Sequence, residues 1–221
     1  MKKSLNLLLI DDHPFIINGY KNILNNLREE NKINSYHTDE ANCCDSALKF
    51  IEDKTYDLVF LDISLPASKD GLFQSGEDIG RLLLKKFPET KILVLTSHDD
   101  PLLLNNILHF ISPKGFMCKG DVTTETLSEA IIKILSGNTY YSTEISNLIH
   151  KNISSKIILD DKNKQILYEL SKGVKTIDLK NVIPLSQAGI EKRKRLLKET
   201  FKTKQLDDTA LIKAAIETGF L

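Results

Sequence analysis

Leu5-Asn6-Leu7-Leu8-Leu9-Ile10-Asp11-Asp12 is the stretch that decides the fold of this chain. A short apolar run that stops abruptly at two carboxylates reads as a strand buried on both faces and ending at a polar edge. Working outward, compact apolar runs recur at residues 58–61, 92–95 and 115–118, with a weaker one near 33–37. Between them, residues 15–27, 43–52, 77–87, 101–111 and 124–135 carry apolar side chains at helical spacing. Strands alternating with helices are expected to run parallel, because parallel neighbours need a crossover and helices supply it. The expectation is an α/β fold: a doubly wound, five-stranded parallel sheet with its chemistry at the carboxyl ends of the strands.

The pattern changes after residue 137. Ser136-Gly137-Asn138 closes the last helix, and residues 138–155 are rich in Ser, Asn and Thr, as a linker would be. Beyond them the strand pattern stops, and residues 161–170, 174–182, 187–201 and 208–218 read as four helices. Gly173 and Gly219 follow the first and last of these, where helix ends favour glycine. The expected organisation is an α/β domain over 1–137, a linker over 138–155 and an all-α domain over 156–221. Charge divides the chain in the same way. Residues 1–145 hold 15 Lys+Arg and 21 Asp+Glu, and residues 146–221 hold 15 and 9, so a net charge of +0 conceals halves of −6 and +6. A basic half is a candidate for a polyanionic partner.

Composition narrows the class. Apolar residues make up 41% and charged residues 27%, mean hydropathy is −0.19, and no apolar run nears the ~18 residues of a membrane span. Collagen-like, coiled-coil, disordered and membrane-spanning classes are excluded. The apolar run at residues 7–10 is too short for a secretory signal, so a cytoplasmic protein with no membrane partner is expected. Cys43, Cys44 and Cys118 are odd in number and form no CxxC spacing, which points to buried thiols rather than a disulfide framework or a zinc site.

Asp11 and Asp12 follow the first strand, Asp62 ends the third, Thr96 ends the fourth and Lys119 follows the fifth. All five then share one sheet edge. Three converging carboxylates repel one another unless a cation intervenes, and an all-oxygen cluster with room for water suits Mg²⁺. A hydroxyl at Thr96 and an ammonium at Lys119 engage an anion held there. Carboxylate nucleophile, metal clamp and cation together describe a phosphoryl-accepting site. A phosphatase working through an aspartyl phosphate would carry a second Asp two residues beyond the nucleophile; Ser64 stands there, so an enzyme is not expected.

Asp11-Asp12-His13-Pro14, Leu61-Asp62-Ile63-Ser64-Leu65-Pro66, Leu95-Thr96-Ser97 and Gly115-Phe116-Met117-Cys118-Lys119 resemble the motifs of two-component response-regulator receivers, in a spacing most similar to the NarL/FixJ group. The resemblance implies a flavodoxin-like receiver in which a sensor histidine kinase phosphorylates Asp62. Asp11, Asp12, Asp62 and the Ser64 backbone carbonyl would hold Mg²⁺, and Thr96 and Lys119 would contact the phosphoryl oxygens. Phe116 matches the aromatic switch position, whose ring turns inward. His13, beside Pro14, reads as structural, while Ser64 and His98 lie where side chains control water access. Residues 67–76 make this loop longer than the family's by ~6 residues. Contact with a kinase, a cover over the site and simple lineage variation stay open for it.

Residues 159–221 resemble a LuxR-type helix-turn-helix domain through Leu159, Ile166-Leu167, Gly173, Leu179, Ser186, Ile190, Leu197, Phe201 and the stretch 214–219. The resemblance implies a reading helix after Ser186, with Lys192 and Arg195 facing the groove, Lys194 and Lys198 on phosphates, and Ile190, Leu197 and Phe201 in the core. The chain departs from the pattern at Gly189-Ile190, where Thr-Val is usual, and at Glu191, a common place for Lys. Lys180 stands where a small Ala packs, and Asn163 where Glu is usual. Leu211, Ile212, Ala215 and Ile216 form a stripe that either pairs two copies in an active homodimer or packs within its own domain. Two functional readings therefore stand: a phosphorylation-gated DNA-binding transcriptional regulator, or a receiver whose degenerate helical domain binds a protein partner.

Overall fold

The apolar runs become strands of one sheet, and the periodic segments become the helices that connect them. In chain order these are β1 (Ser4–Ile10), α1 (Pro14–Glu29), β2 (Ser35–Ala41), α2 (Cys44–Asp53), β3 (Leu58–Asp62), α3 (Gly76–Lys86), β4 (Lys91–Thr96), α4 (Pro101–Phe110), β5 (Gly115–Cys118), α5 (Thr124–Leu135), β6 (Tyr140–Tyr141) and α6 (Thr143–Ile153). The structure is a computed structural model describing residues 4–153, 159–204, 207–218 and 220–221, and it divides into a sheet-bearing unit and a helical unit. The strands pair in parallel in the order β2-β1-β3-β4-β5-β6. Leu7, Leu8, Leu9 and Ile10 are fully buried, as are Leu58 to Leu61, because helices cover both faces. One face packs Leu7, Leu9, Phe60, Leu93 and Leu95 against Tyr20 and Leu24 of α1 and Leu127, Ile131 and Ile134 of α5.

The sheet-bearing unit differs from expectation at the edges of its sheet. The sheet has six strands rather than five, because Tyr140–Tyr141, in the stretch expected to be linker, pairs with β5. Tyr140 N–H donates to the Lys114 carbonyl at 2.9 Å and Ser142 N–H to the Phe116 carbonyl at 3.0 Å, so the edge of β5 is covered. Helix α6 follows at once, so the expected linker 138–155 carries ordered elements up to Ile153, with residues 154–155 outside the described residues. The weak strand near 33–37 lies at Ser35–Ala41 instead. It is an edge strand of mostly polar residues, aligned by register with β1 from Ser4↔Ser35 to Ile10↔Ala41 rather than by an apolar run of its own.

The helical unit contains α7 (Asp161–Ser171), α8 (Leu179–Val182), α9 (Gln187–Thr200) and α10 (Asp208–Glu217). The second helix is much shorter than the expected 174–182. Gly173, at φ +84°, ends α7, and Asp178 N–H donates to the Lys175 carbonyl in a turn before α8 begins. Gly219 lies outside the described residues. Asp160, Ser186 and Asp207 cap α7, α9 and α10 by accepting from the Asn163, Gly189 and Ala210 amides. The core joins Ile166, Leu167, Leu170, Leu179, Ile183, Ile190, Leu197, Phe201, Leu211 and Ala215. Leu211 and Ala215 thus pack within their own unit, while Ile216 is 41% exposed. Lys180 is exposed. Among the described residues, no helix is long and apolar enough to cross a membrane.

Candidate functional site

Strands β1 and β3 are neighbours in the sheet although β2 separates them in the chain, so the connections leave in opposite directions there. A crevice opens at the carboxyl ends of strands at such a point. Asp11 and Asp62 stand in it with 0% and 1% exposure. Lys119, first residue of a 3-10 turn after β5, reaches both: its Nζ lies 2.9 Å from Asp11 Oδ2 and 2.9 Å from Asp62 Oδ2. Burial alone would lower the Lys119 pKa, but hydrogen bonds and charge from Asp62 and Asp11 outweigh it and hold the ammonium above the ordinary lysine value. Burial, then the negative charge of Asp11 and Asp62, pushes the Tyr20 hydroxyl upward. It donates to Asp11 Oδ2 at 3.4 Å.

Asp12 and His13 complete the cluster. Ligand atoms of Asp11, Asp12, His13 and Asp62 all lie within 4.8 Å of one another. His13, expected to be structural only, caps the start of α1 and places Nδ1 2.6 Å from Asp12 Oδ1. That oxygen is buried and makes no well-formed hydrogen bond. Three acids facing one lysine, with an Asp12 oxygen that meets only the His13 ring at poor hydrogen-bond geometry, are the environment a hard divalent cation satisfies, so the residues present fit Mg²⁺.

Thr96, fully buried, joins the acids through a chain of hydrogen bonds. Its Oγ1 accepts from His98 N–H at 3.1 Å, His98 Nε2 lies 3.0 Å from Ser64 Oγ, and Ser64 N–H donates to Asp62 Oδ1 at 3.1 Å. Phe116, expected to start outside and turn inward, is already 0% exposed. It lies on an interior strand, because β6 pairs alongside it.

Sequence reasoning missed Gly76. A Cβ there would overlap the Asp62 carbonyl oxygen and crowd Ile63 Cα at 2.9 Å, and Gly76 N–H donates to the Ile63 carbonyl at 3.0 Å. The glycine lets the start of α3 lie directly against the strand end that presents Asp62. Its only sequence signal is a glycine at the first position of α3, behind the Ser75 cap. The long loop is internally built. The Ser68 hydroxyl donates to Asp70 Oδ1 at 2.6 Å and accepts from Phe73 N–H at 3.0 Å, Gly71 takes φ +70°, and Leu72 is left 74% exposed. Burial pushes the Cys44 and Cys118 thiols up to about 11 and about 12, in keeping with inert thiols.

On α9 the expected phosphate contacts are otherwise occupied. Lys194 Nζ lies 2.6 Å from Asp208 Oδ2 and Lys198 Nζ 3.0 Å from Asp208 Oδ1, with each lysine only 17% exposed. Arg193 binds Asp160 at 2.6 Å and Asn163 at 3.0 Å. These cations tie α9 to the starts of α10 and α7, and in the chain without DNA the expected phosphate contacts Lys194 and Lys198 rest on Asp208. Lys192 and Arg195 are exposed.

Fold and pocket together define a flavodoxin-like α/β unit whose acidic crevice, closed by a lysine, suits a divalent cation and an anion. The pattern of the response regulator receiver domain matches residues 7–119, and the chain belongs to that family; in this chain a helical unit follows the receiver. Response regulator UvrY of Escherichia coli (strain K12) is 25% identical over 82% of this chain and 81% of its own length. Oxygen regulatory protein NreC of Staphylococcus haemolyticus (strain JCSC1435) is 25% identical over 92% of this chain and 100% of its own. RcsB from Salmonella enterica serovar Typhimurium, solved bound to promoter P1flhDC in the presence of phosphomimetic BeF3-, shares the fold with a TM-score of 0.61, at 18% identity over 98% of this chain and 99% of that one.

Proposed function

We propose that Asp62 accepts a phosphoryl group from a sensor histidine kinase and that the helical unit is a DNA-binding transcriptional regulator under its control. The observation that carries this reading is Lys119 Nζ, 2.9 Å from both Asp62 and Asp11 at the switch point of a receiver fold. In the transfer, an Asp62 carboxylate oxygen forms the P–O bond while the donor's P–N bond breaks, its electron pair leaving on the donor imidazole. Asp11, Asp12, Asp62 and the Ser64 carbonyl are the residues that would hold Mg²⁺, which when bound neutralises charge on the phosphoryl oxygens. Lys119 exchanges its carboxylate contacts for a phosphoryl oxygen, and the Thr96 hydroxyl donates to another. Because Thr96, His98, Ser64 and Asp62 form one hydrogen-bonded chain, moving Thr96 reorganises the segment ahead of α4 and biases a population already present. A coupling of about 1–3 kcal/mol suffices to gate DNA binding.

The relatives support the DNA-binding half: RcsB has been solved as dimers bound to DNA. On this reading the chain acts as a cytoplasmic homodimer, is not an enzyme, and presents Lys192 and Arg195 to DNA. One observation favours a protein partner instead: exposed Glu191 and Glu199 share α9 with Leu196, which is 46% exposed. The discriminating experiment is retention of genomic DNA fragments by the full-length chain, with and without beryllofluoride and Mg²⁺, at low and moderate salt. Particular fragments should be enriched in a manner that needs Asp62 and weakens with salt. No enrichment in any state would contradict the DNA reading and favour a protein partner.

A further inference from the structure

The basic run on α9 is less basic than it reads. Of its five cations Lys192, Arg193, Lys194, Arg195 and Lys198, three are paired within the chain, Arg193 with Asp160, and Lys194 and Lys198 sharing the single carboxylate of Asp208. Lys192 and Arg195 are left exposed, beside the equally exposed Glu191 and Glu199. Glu199 is itself taken up by Lys204 at 3.3 Å, so the face presents one acceptor, Glu191, beside two cationic donors. Such a face is well made for reading bases, whose edges offer both donors and acceptors.

Glu191 is the informative residue. It stands one helical turn before Arg195, where an ion pair would be the ordinary outcome, yet among the described residues the two do not pair. Instead, Gln187 Nε2 donates to Glu191 Oε1 at 3.0 Å, which orients the carboxylate from the turn below. Glu191 and Arg195 line the same recess of about 200 Å³, together with Thr176, Lys194, Lys198 and Lys204. A carboxylate facing phosphates is repelled, whereas one facing base edges has a natural partner in the cytosine N4 amine. Arginine's counterpart is the O6/N7 edge of guanine.

We infer that Glu191 is a specificity-determining residue that fixes a C·G pair in the operator by accepting from cytosine N4, with Arg195 donating to a neighbouring guanine; the inference rests on the DNA-binding reading above. The test selects sites from a random duplex library with the full-length chain at low salt, in beryllofluoride and Mg²⁺, for the native protein, Glu191→Gln and Glu191→Ala. Position 191 is exposed, so both variants should fold, which circular dichroism checks. Native sites should carry a fixed C·G pair in each half-site, preferred about tenfold over other bases. Glu191→Gln should shift that position toward A·T, because glutamine pairs with adenine N6/N7, and Glu191→Ala should leave it degenerate. Identical preferences in all three proteins would overturn the inference and leave DNA binding standing, as would retention of duplexes without any sequence preference. Retention of no duplex by any of the three would overturn the inference and the DNA-binding reading together.

Discussion

Gly76 and Asp208 show how single residues hold the two units to their tasks. Because a methyl group at Gly76 would overlap the carbonyl oxygen of Asp62, Gly76→Ala must push α3 away from the end of β3. We expect a loss of about 3 kcal/mol, the upper end for an overpacked contact, measured by urea denaturation of the full chain. Asp208 makes a prediction in pH. Burial raises its pKa, but hydrogen bonds and charge from Lys194 and Lys198 outweigh this and hold the carboxyl below its ordinary value of 3.8. A carboxyl depressed on folding adds stability above its unfolded pKa and loses it as pH falls through the folded one. Thermal unfolding followed between about pH 5 and pH 2 should therefore show a steeper acid loss in the native chain than in Asp208→Asn. Equal slopes would remove Asp208 from the account. The acidic pocket was legible at this scale, since Asp11, Asp62, Thr96 and Lys119 each stand where an apolar run meets a polar edge. Gly76 was not, because its constraint is a contact with a strand end distant in sequence. Nor was the pairing of Lys194 and Lys198: a charge run reads the same whether it faces water or an aspartate ten or more residues away.

At the level of elements, the strand that sequence patterning missed closes one edge of the sheet. Two tyrosines in a Ser- and Asn-rich stretch carry no strand periodicity, so Tyr140–Tyr141 read as linker. What makes them a strand is β5, whose open edge they cover through the Tyr140 and Ser142 amides. Ile145, fully buried, follows in α6. A fragment ending at residue 137 should accordingly be less stable than one ending at residue 153 by about 3 kcal/mol, counting the lost hydrogen bonds and the apolar burial that Ile145 no longer contributes. Equal denaturation midpoints would mean that β6 and α6 are dispensable and that the sequence-based boundary is adequate. Elements with strong apolar runs or clear amphipathic period were placed to within a few residues. Those that deviate, β2, β6 and the short α8, are the ones whose position depends on neighbours rather than on their own residues.

At the scale of the whole molecule, an acidic unit that takes up charge is joined to a basic one in which Arg193, Lys194 and Lys198 of α9 are tied to carboxylates of their own unit. The segregation of −6 and +6 between the halves was visible in the sequence, but which cations of α9 are held by carboxylates of their own unit was not. Exchange of a lysine contact for a phosphoryl oxygen at Asp62 is the event on which everything downstream depends. The most direct test is the intact mass of the full-length chain after incubation with acetyl phosphate and Mg²⁺, compared with Asp62→Asn. The native chain should gain one phosphoryl mass, lose it when Mg²⁺ is chelated beforehand, and show none in the variant. A phosphoryl mass on Asp62→Asn, or none on the native chain in the presence of Mg²⁺, would contradict the assignment of Asp62 as the acceptor.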